Sequence, residues 1–186
     1  MRRCLSASLV LASLGAASAL RVALCQFEVG TDKQANIATA RAEIAAAAAD
    51  GAKLVVLPEI WNGPYATTKF AAYAEPVPSV GSGPGGAEGS SVAMLRGAAA
   101  EHNVTIVGGS TAEGSGARPL NACVVVGADG VVLAVHRKLH LFDIDIPGKT
   151  SFRESDSLSP GGAVTTFPLA GFGVVGVGIC YDLRFA

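Results

Sequence analysis

Short, continuously apolar runs set the first reading of the chain. LVVL at 54–57 and CVVV at 123–126 carry no polar position between their apolar ones, as expected of strands covered on both faces. Five further runs read as strands: RVALCQF (21–27), NVTIVGGS (103–110), VVLAVHR (131–137), VTTFPL (164–169) and GVVGVGI (173–179). LVVL extends to KLVVLPE, where Pro58 breaks the strand, and CVVV sits within NACVVVG. Between the first two strands, Thr31-x-x-Gln34 predicts a capping box opening a helix through RAEIAAAAAD, which Gly51 ends. SSVAMLRGAAAEHN predicts a second, alanine-rich helix. Ala128-Asp129-Gly130 marks a tight turn, and residues Lys138–Gly162 read as one long polar loop. Two helices can cover one face of a sheet only, so cover for the other face is expected to lie outside this chain.

Composition narrows the class. The 186 residues fit a single domain with a sizeable core, half of them hydrophobic and 16% charged, which argues against disorder. A net charge of −1 gives no basic footprint for nucleic acid. No apolar run beyond the N-terminus reaches spanning length. The leader-like start, residues 1–19, has Arg2 and Arg3, an apolar stretch and Ala17-Ser18-Ala19, and no acidic residue before Glu28. That composition suits a secretory signal and an organellar transit peptide equally, and the fold is expected to occupy residues 20–186.

Candidate chemistry sits at strand ends. Glu59 follows LVVLP, Lys138 follows VVLAVHR and Cys180 follows GVVGVGI, the place where α/β enzymes keep their sites. A carboxylate can take a thiol proton, and a lysine can stabilise a developing oxyanion. The three would form an acyl-transfer set. His136 and His140 have the spacing of a helical metal pair but read as strand, so no metal is expected. The GSGPGG tract lacks the lysine and the strand–turn–helix setting of a phosphate loop. Cys25 and Cys123 lie inside apolar strands and read as inert core.

PEIWNGPY, RKLHLFDIDIPGK and GICYDLRF resemble the three signature blocks of the nitrilase superfamily, the carbon–nitrogen hydrolases, over Arg21–Ala186. The resemblance implies an α/β fold, a four-layer α-β-β-α sandwich of which this chain holds the N-terminal part. It implies a Glu59-Lys138-Cys180 triad, with Glu154 of FRESDSLSPG as an assisting glutamate and Asp182 and Arg184 in the polar network around the cysteine. LFDIDIPGK, FRES and LSPG look like the omega-amidase branch, in which Tyr65 would help hold a distal carboxylate. The Tyr181 N–H would join Lys138 at the oxyanion. The implied partners are an amide substrate and water, with no metal or organic cofactor, and a homodimer at full length. Members of the superfamily continue with further strands and helices, so the chain reads as a fragment. The alternatives are an amidase for deaminated glutathione and a non-catalytic remnant that at most associates with a homologue.

Overall fold

The computed structural model describes residues 19–85, 88–114 and 118–185. The leader expectation, apart from Ala19, lies outside them, as do residues 86–87 of the glycine-rich tract. The elements run β1 (Val22–Leu24), α1 (Lys33–Ala49), β2 (Leu54–Val56), α2 (Phe70–Tyr73), α3 (Ser90–His102), β3 (Thr105–Val107) and β4 (Thr111–Glu113). Then follow β5 (Leu120–Val126), β6 (Val132–Arg137), β7 (Asp143–Ile146), β8 (Thr150–Arg153), β9 (Thr165–Leu169) and β10 (Gly173–Val177).

One mixed sheet organises them. β1, β2 and β3 are parallel neighbours, and β3 meets β5 antiparallel. β4 continues along the same edge of β5, and β6 takes its other edge. Helices α1 and α3 lie on one face, where Val55, Ile106, Val124 and Val126 pack with Ile44 and Leu95. On the opposite face Leu54, Cys123, Val125 and Ala134 pack against Phe167, Leu169 and Ile179.

That second face corrects an expectation. The chain supplies the cover itself: β9 and β10 pair as an antiparallel hairpin whose Phe167 and Leu169 turn inward while Thr166 and Pro168 stay exposed. Every residue from Asn121 to Val126 is therefore buried. At and beside this hairpin Val164, Phe172 and Val174 remain exposed.

Other differences have local causes. The cap of α1 is Asp32, not Thr31: the Asp32 carboxylate accepts from the Gln34 N–H at 2.8 Å and the Ala35 N–H at 3.2 Å. A carboxylate satisfies two otherwise unpaired N–H groups and favours the positive end of the helix. Gly51 ends the helix at φ +84, as expected. The stretch 138–162 is not a plain loop, because it contains the β7–β8 hairpin and a 3-10 turn at Glu154–Asp156. Strand β4 also had no counterpart in the sequence reading. The glycine-rich tract is tied down by buried Arg96, which donates to the carbonyls of Gly130 and Ser82, each at 3.0 Å, and pairs with Glu88. Among the described residues no helix is long and apolar enough to cross a membrane.

Candidate active site

Glu59 sits just past β2 on a loop that the β3–β4 break holds fast. Ile60 has φ +48, a conformation costly for a β-branched residue. Its N–H donates to Ser110 Oγ at 3.0 Å, the Trp61 N–H to the Ser110 carbonyl at 3.2 Å and the Trp61 indole to the Gly108 carbonyl at 2.7 Å. Gly109 is required in this contact. It has φ +58, and a Cβ there would stand 2.0 Å from the Pro58 carbonyl oxygen. The backbone around Glu59 is thus fixed on both sides, and its Oε1 accepts from Asn121 Nδ2 at 2.8 Å and Lys138 Nζ at 2.9 Å.

Lys138 directly follows β6, its N–H bonded to the Asn121 carbonyl at 2.9 Å, and its side chain is fully buried. The ammonium lies 2.9 Å from Glu59 Oε1. It also meets both oxygens of Glu154, at 3.1 Å to Oε1 and 2.9 Å to Oε2. Glu154 arrives through the β7–β8 hairpin: its N–H donates to the Phe142 carbonyl at 3.1 Å, and its Oε2 accepts the Phe142 N–H at 2.6 Å. A buried cation between two carboxylates is the arrangement that makes burial of all three tolerable. Burial works against the Lys138 ammonium, but the hydrogen bonds and charges of Glu59 and Glu154 outweigh it and raise its pKa.

Cys180 opens the 3-10 turn Cys180–Arg184 after β10, exposed and at φ +48. Non-glycine residues with positive φ cluster at functional sites, and two of the three among the described residues, Ile60 and Cys180, flank this cluster. The thiol pKa is raised, first by burial and then by the negative charge of Glu59, with Lys138 acting in the opposite sense. Cys180 lines both an inner cavity of about 160 Å³, shared with Glu59, Ser110 and Cys123, and an open hollow of about 670 Å³ beside Phe142 and Arg184. Another hollow, about 690 Å³ beside Arg21, Lys53 and Phe172, touches none of these residues. The ionisable cluster, not hollow size, marks the candidate site.

The remaining expected residues fall nearby. Tyr65 stacks on Phe152 and packs edge-on to Phe70, and its hydroxyl donates to Glu154 Oε1 at 2.5 Å. Burial, together with that bond and the surrounding negative charges, raises its pKa. Tyr181 packs edge-on against Phe142 and Phe185. Asp182 joins the polar network around the turn. Arg184 is exposed and pairs with no carboxylate among the described residues. Cys123 is buried, its thiol pKa pushed up to about 12 by burial, in keeping with inert core. Asn121 was not foreseen: buried at the start of β5, it donates to Glu59 Oε1 at 2.8 Å. Its only signal was a polar side chain heading an otherwise apolar strand.

The family model described as carbon-nitrogen hydrolase matches residues 21–186. The chain belongs to that family. It is 48% identical over 164 residues to a chloroplastic omega-amidase of Arabidopsis thaliana, covering 88% of this chain and 43% of that protein. It is 43% identical over 169 residues to the omega-amidase NIT2 of Homo sapiens, covering 91% of this chain and 57% of the relative. The crystal structure of Saccharomyces cerevisiae Nit3, a member of branch 10 of the nitrilase superfamily, superposes with a TM-score of 0.74 at 34% identity. That match covers 89% of this chain and 57% of the yeast chain. The carbon–nitrogen hydrolase chain thus spans about half the length of the curated relatives it matches.

Proposed function

We propose that the protein is an amide hydrolase releasing ammonia from omega-amides of short dicarboxylic acids, such as α-ketoglutaramate, through a Cys180 thioester. One observation carries the reading: the carboxylate of Glu59, the ammonium of Lys138 and the thiol of Cys180 form one cluster at the strand ends. The curated relatives named omega-amidase support the substrate class.

In this mechanism Glu59 takes the thiol proton as Cys180 Sγ attacks the amide carbon. Lys138 and the Tyr181 N–H stabilise the tetrahedral oxyanion. Collapse breaks the C–N bond, and Glu59 returns its proton to the departing ammonia. Glu59 then takes a proton from water, whose oxygen attacks the thioester carbon. The second collapse releases the carboxylic acid and Cys180, which recovers its proton. Glu154 keeps Lys138 oriented throughout.

The test is ammonia release from a panel of carboxylate-bearing and neutral amides, with Tyr65→Phe beside the parent. The parent should prefer the carboxylate-bearing amides. Tyr65→Phe should lose about 1.5–3 kcal/mol on those substrates, the worth of a hydrogen bond to a charged group, or roughly one to two orders of magnitude in kcat/KM. Equal losses on both classes would assign the hydroxyl to Glu154 alone and reopen deaminated glutathione as the substrate. No ammonia from any amide would favour the non-catalytic remnant.

A further inference from the structure

One carboxylate lies outside this chemistry yet touches the backbone on both sides of it. Asp182 Oδ2 accepts the Ile179 N–H at 3.0 Å, immediately before the nucleophile. Asp182 Oδ1 accepts the Leu139 N–H at 3.1 Å and the His140 N–H at 2.9 Å, immediately after the lysine. Two imidazoles complete the set: His136 Nε2 donates to Oδ2 at 3.0 Å and His140 Nδ1 to Oδ1 at 2.9 Å. With Nε2 carrying the proton, His136 Nδ1 accepts from the Thr165 hydroxyl at 3.1 Å, which extends the chain of bonds into β9. His136 is 1% exposed and the Asp182 side chain 9%. A half-satisfied group in such a place would be destabilising, whereas this one has five donors.

We propose that Asp182 is a positioning residue whose carboxylate brackets the turn of Cys180 to the strand end of Lys138 and thereby fixes the thiol against the Glu59–Lys138 pair. The proposal rests on Cys180 being the reacting thiol. The positive φ of Cys180 gives the bracket its purpose, because a strained turn persists only where its surroundings over-determine it. The two N–H groups that follow Lys138 are not in its β-ladder, so a side chain is what satisfies them. Burial tends to raise the Asp182 carboxyl, but the bonds from His136, Ile179 and His140 prevail and hold it at about 2. The bracket therefore stays ionised throughout the neutral range.

Asp182→Asn keeps the volume but turns one acceptor oxygen into a donor, so at least one of the three bonds to backbone N–H groups breaks. The pH dependence of Cys180 alkylation by iodoacetamide, read by mass spectrometry, tests the bracket without any substrate. The ionisable groups acting on that thiol are Glu59, Lys138 and Glu154, with Tyr65 beside them. In Asp182→Asn the labelling midpoint should move by roughly one pH unit as the thiol leaves its charged neighbours. Turnover on an omega-amide should fall about 100-fold with KM within about threefold, the effect of misplacement on the order of 1 Å. Buried Cys123 should stay unlabelled and so report an intact fold. If Cys123 becomes labelled, His136→Gln is read in the same way. A labelling midpoint equal to the parent's in the folded variant overturns the bracket, whatever happens to turnover. A parent that hydrolyses no omega-amide would defeat the functional reading alone, and the midpoint would still decide this one.

Discussion

Cys180→Ala should reduce amide hydrolysis by about 10⁴-fold or more while leaving the melting curve of the parent unchanged. The size follows from the proposed chemistry: with no sulfur there is no thioester, and no neighbouring group can form the acyl intermediate. The unchanged stability follows from exposure, since Cys180 contributes little packed surface that an alanine would vacate. Alanine at φ +48 is no more strained than cysteine. Ammonia release and a thermal scan on the same preparation settle both halves. Turnover like the parent's would end the thioester mechanism, and activity surviving only in a Cys25 or Cys123 context would point to another thiol.

Lys138→Met should cost about 3–5 kcal/mol of stability and abolish hydrolysis, because it keeps the stem and removes the charge. Glu154, fully buried, would then face Glu59 with no cation between them. Urea unfolding measures the loss. Its pH dependence has a fixed sign, because the Lys138 ammonium is held above its ordinary pKa by Glu59 and Glu154 despite the opposing effect of burial. A raised folded value means the contribution is complete below the unfolded value of roughly 10.4 and fades as pH climbs through the folded one. The gap between parent and variant should thus stay constant from neutral pH to roughly 10 and close above it. Equal stabilities at pH 7 would show that the two carboxylates need no counter-ion.

The strand ends were the legible part of the site. Glu59, Lys138 and Cys180 each close an apolar run with a reactive group, and a run is visible in sequence whatever it packs against. The β7–β8 hairpin was not legible, because its strands are mostly exposed and write no buried stripe into DIDI or TSFR. The cover for LVVL and CVVV was present in VTTFPL and GVVGVGI all along. A short hairpin supplies that cover as well as a helix does, because Phe167 and Leu169 alternate with exposed neighbours as one face of a hairpin must. Asn121 and Glu59 stand 62 residues apart, and their bond exists only once β2 and β5 share a sheet. At the start of α1, two adjacent residues could both cap, and pattern alone does not choose between a hydroxyl and a carboxylate.

The contact between Lys138 and its two glutamates has a consequence for proton inventory. Two carboxylates and one ammonium leave this cluster with one surplus negative charge before the cysteine contributes anything. Releasing the thiol proton to bulk water would double that surplus in surroundings that already disfavour the thiolate. Handing the same proton to Glu59 changes its owner and leaves the total untouched. Burial penalises the first route more than the second, which relocates one charge without adding another. In the proposed mechanism the cluster would act as a closed ledger, in which the proton that leaves sulfur at the first step is the one given to ammonia at the next. On that proposal, the surrounding solution sets how many protons the cluster holds, and the geometry sets where they move.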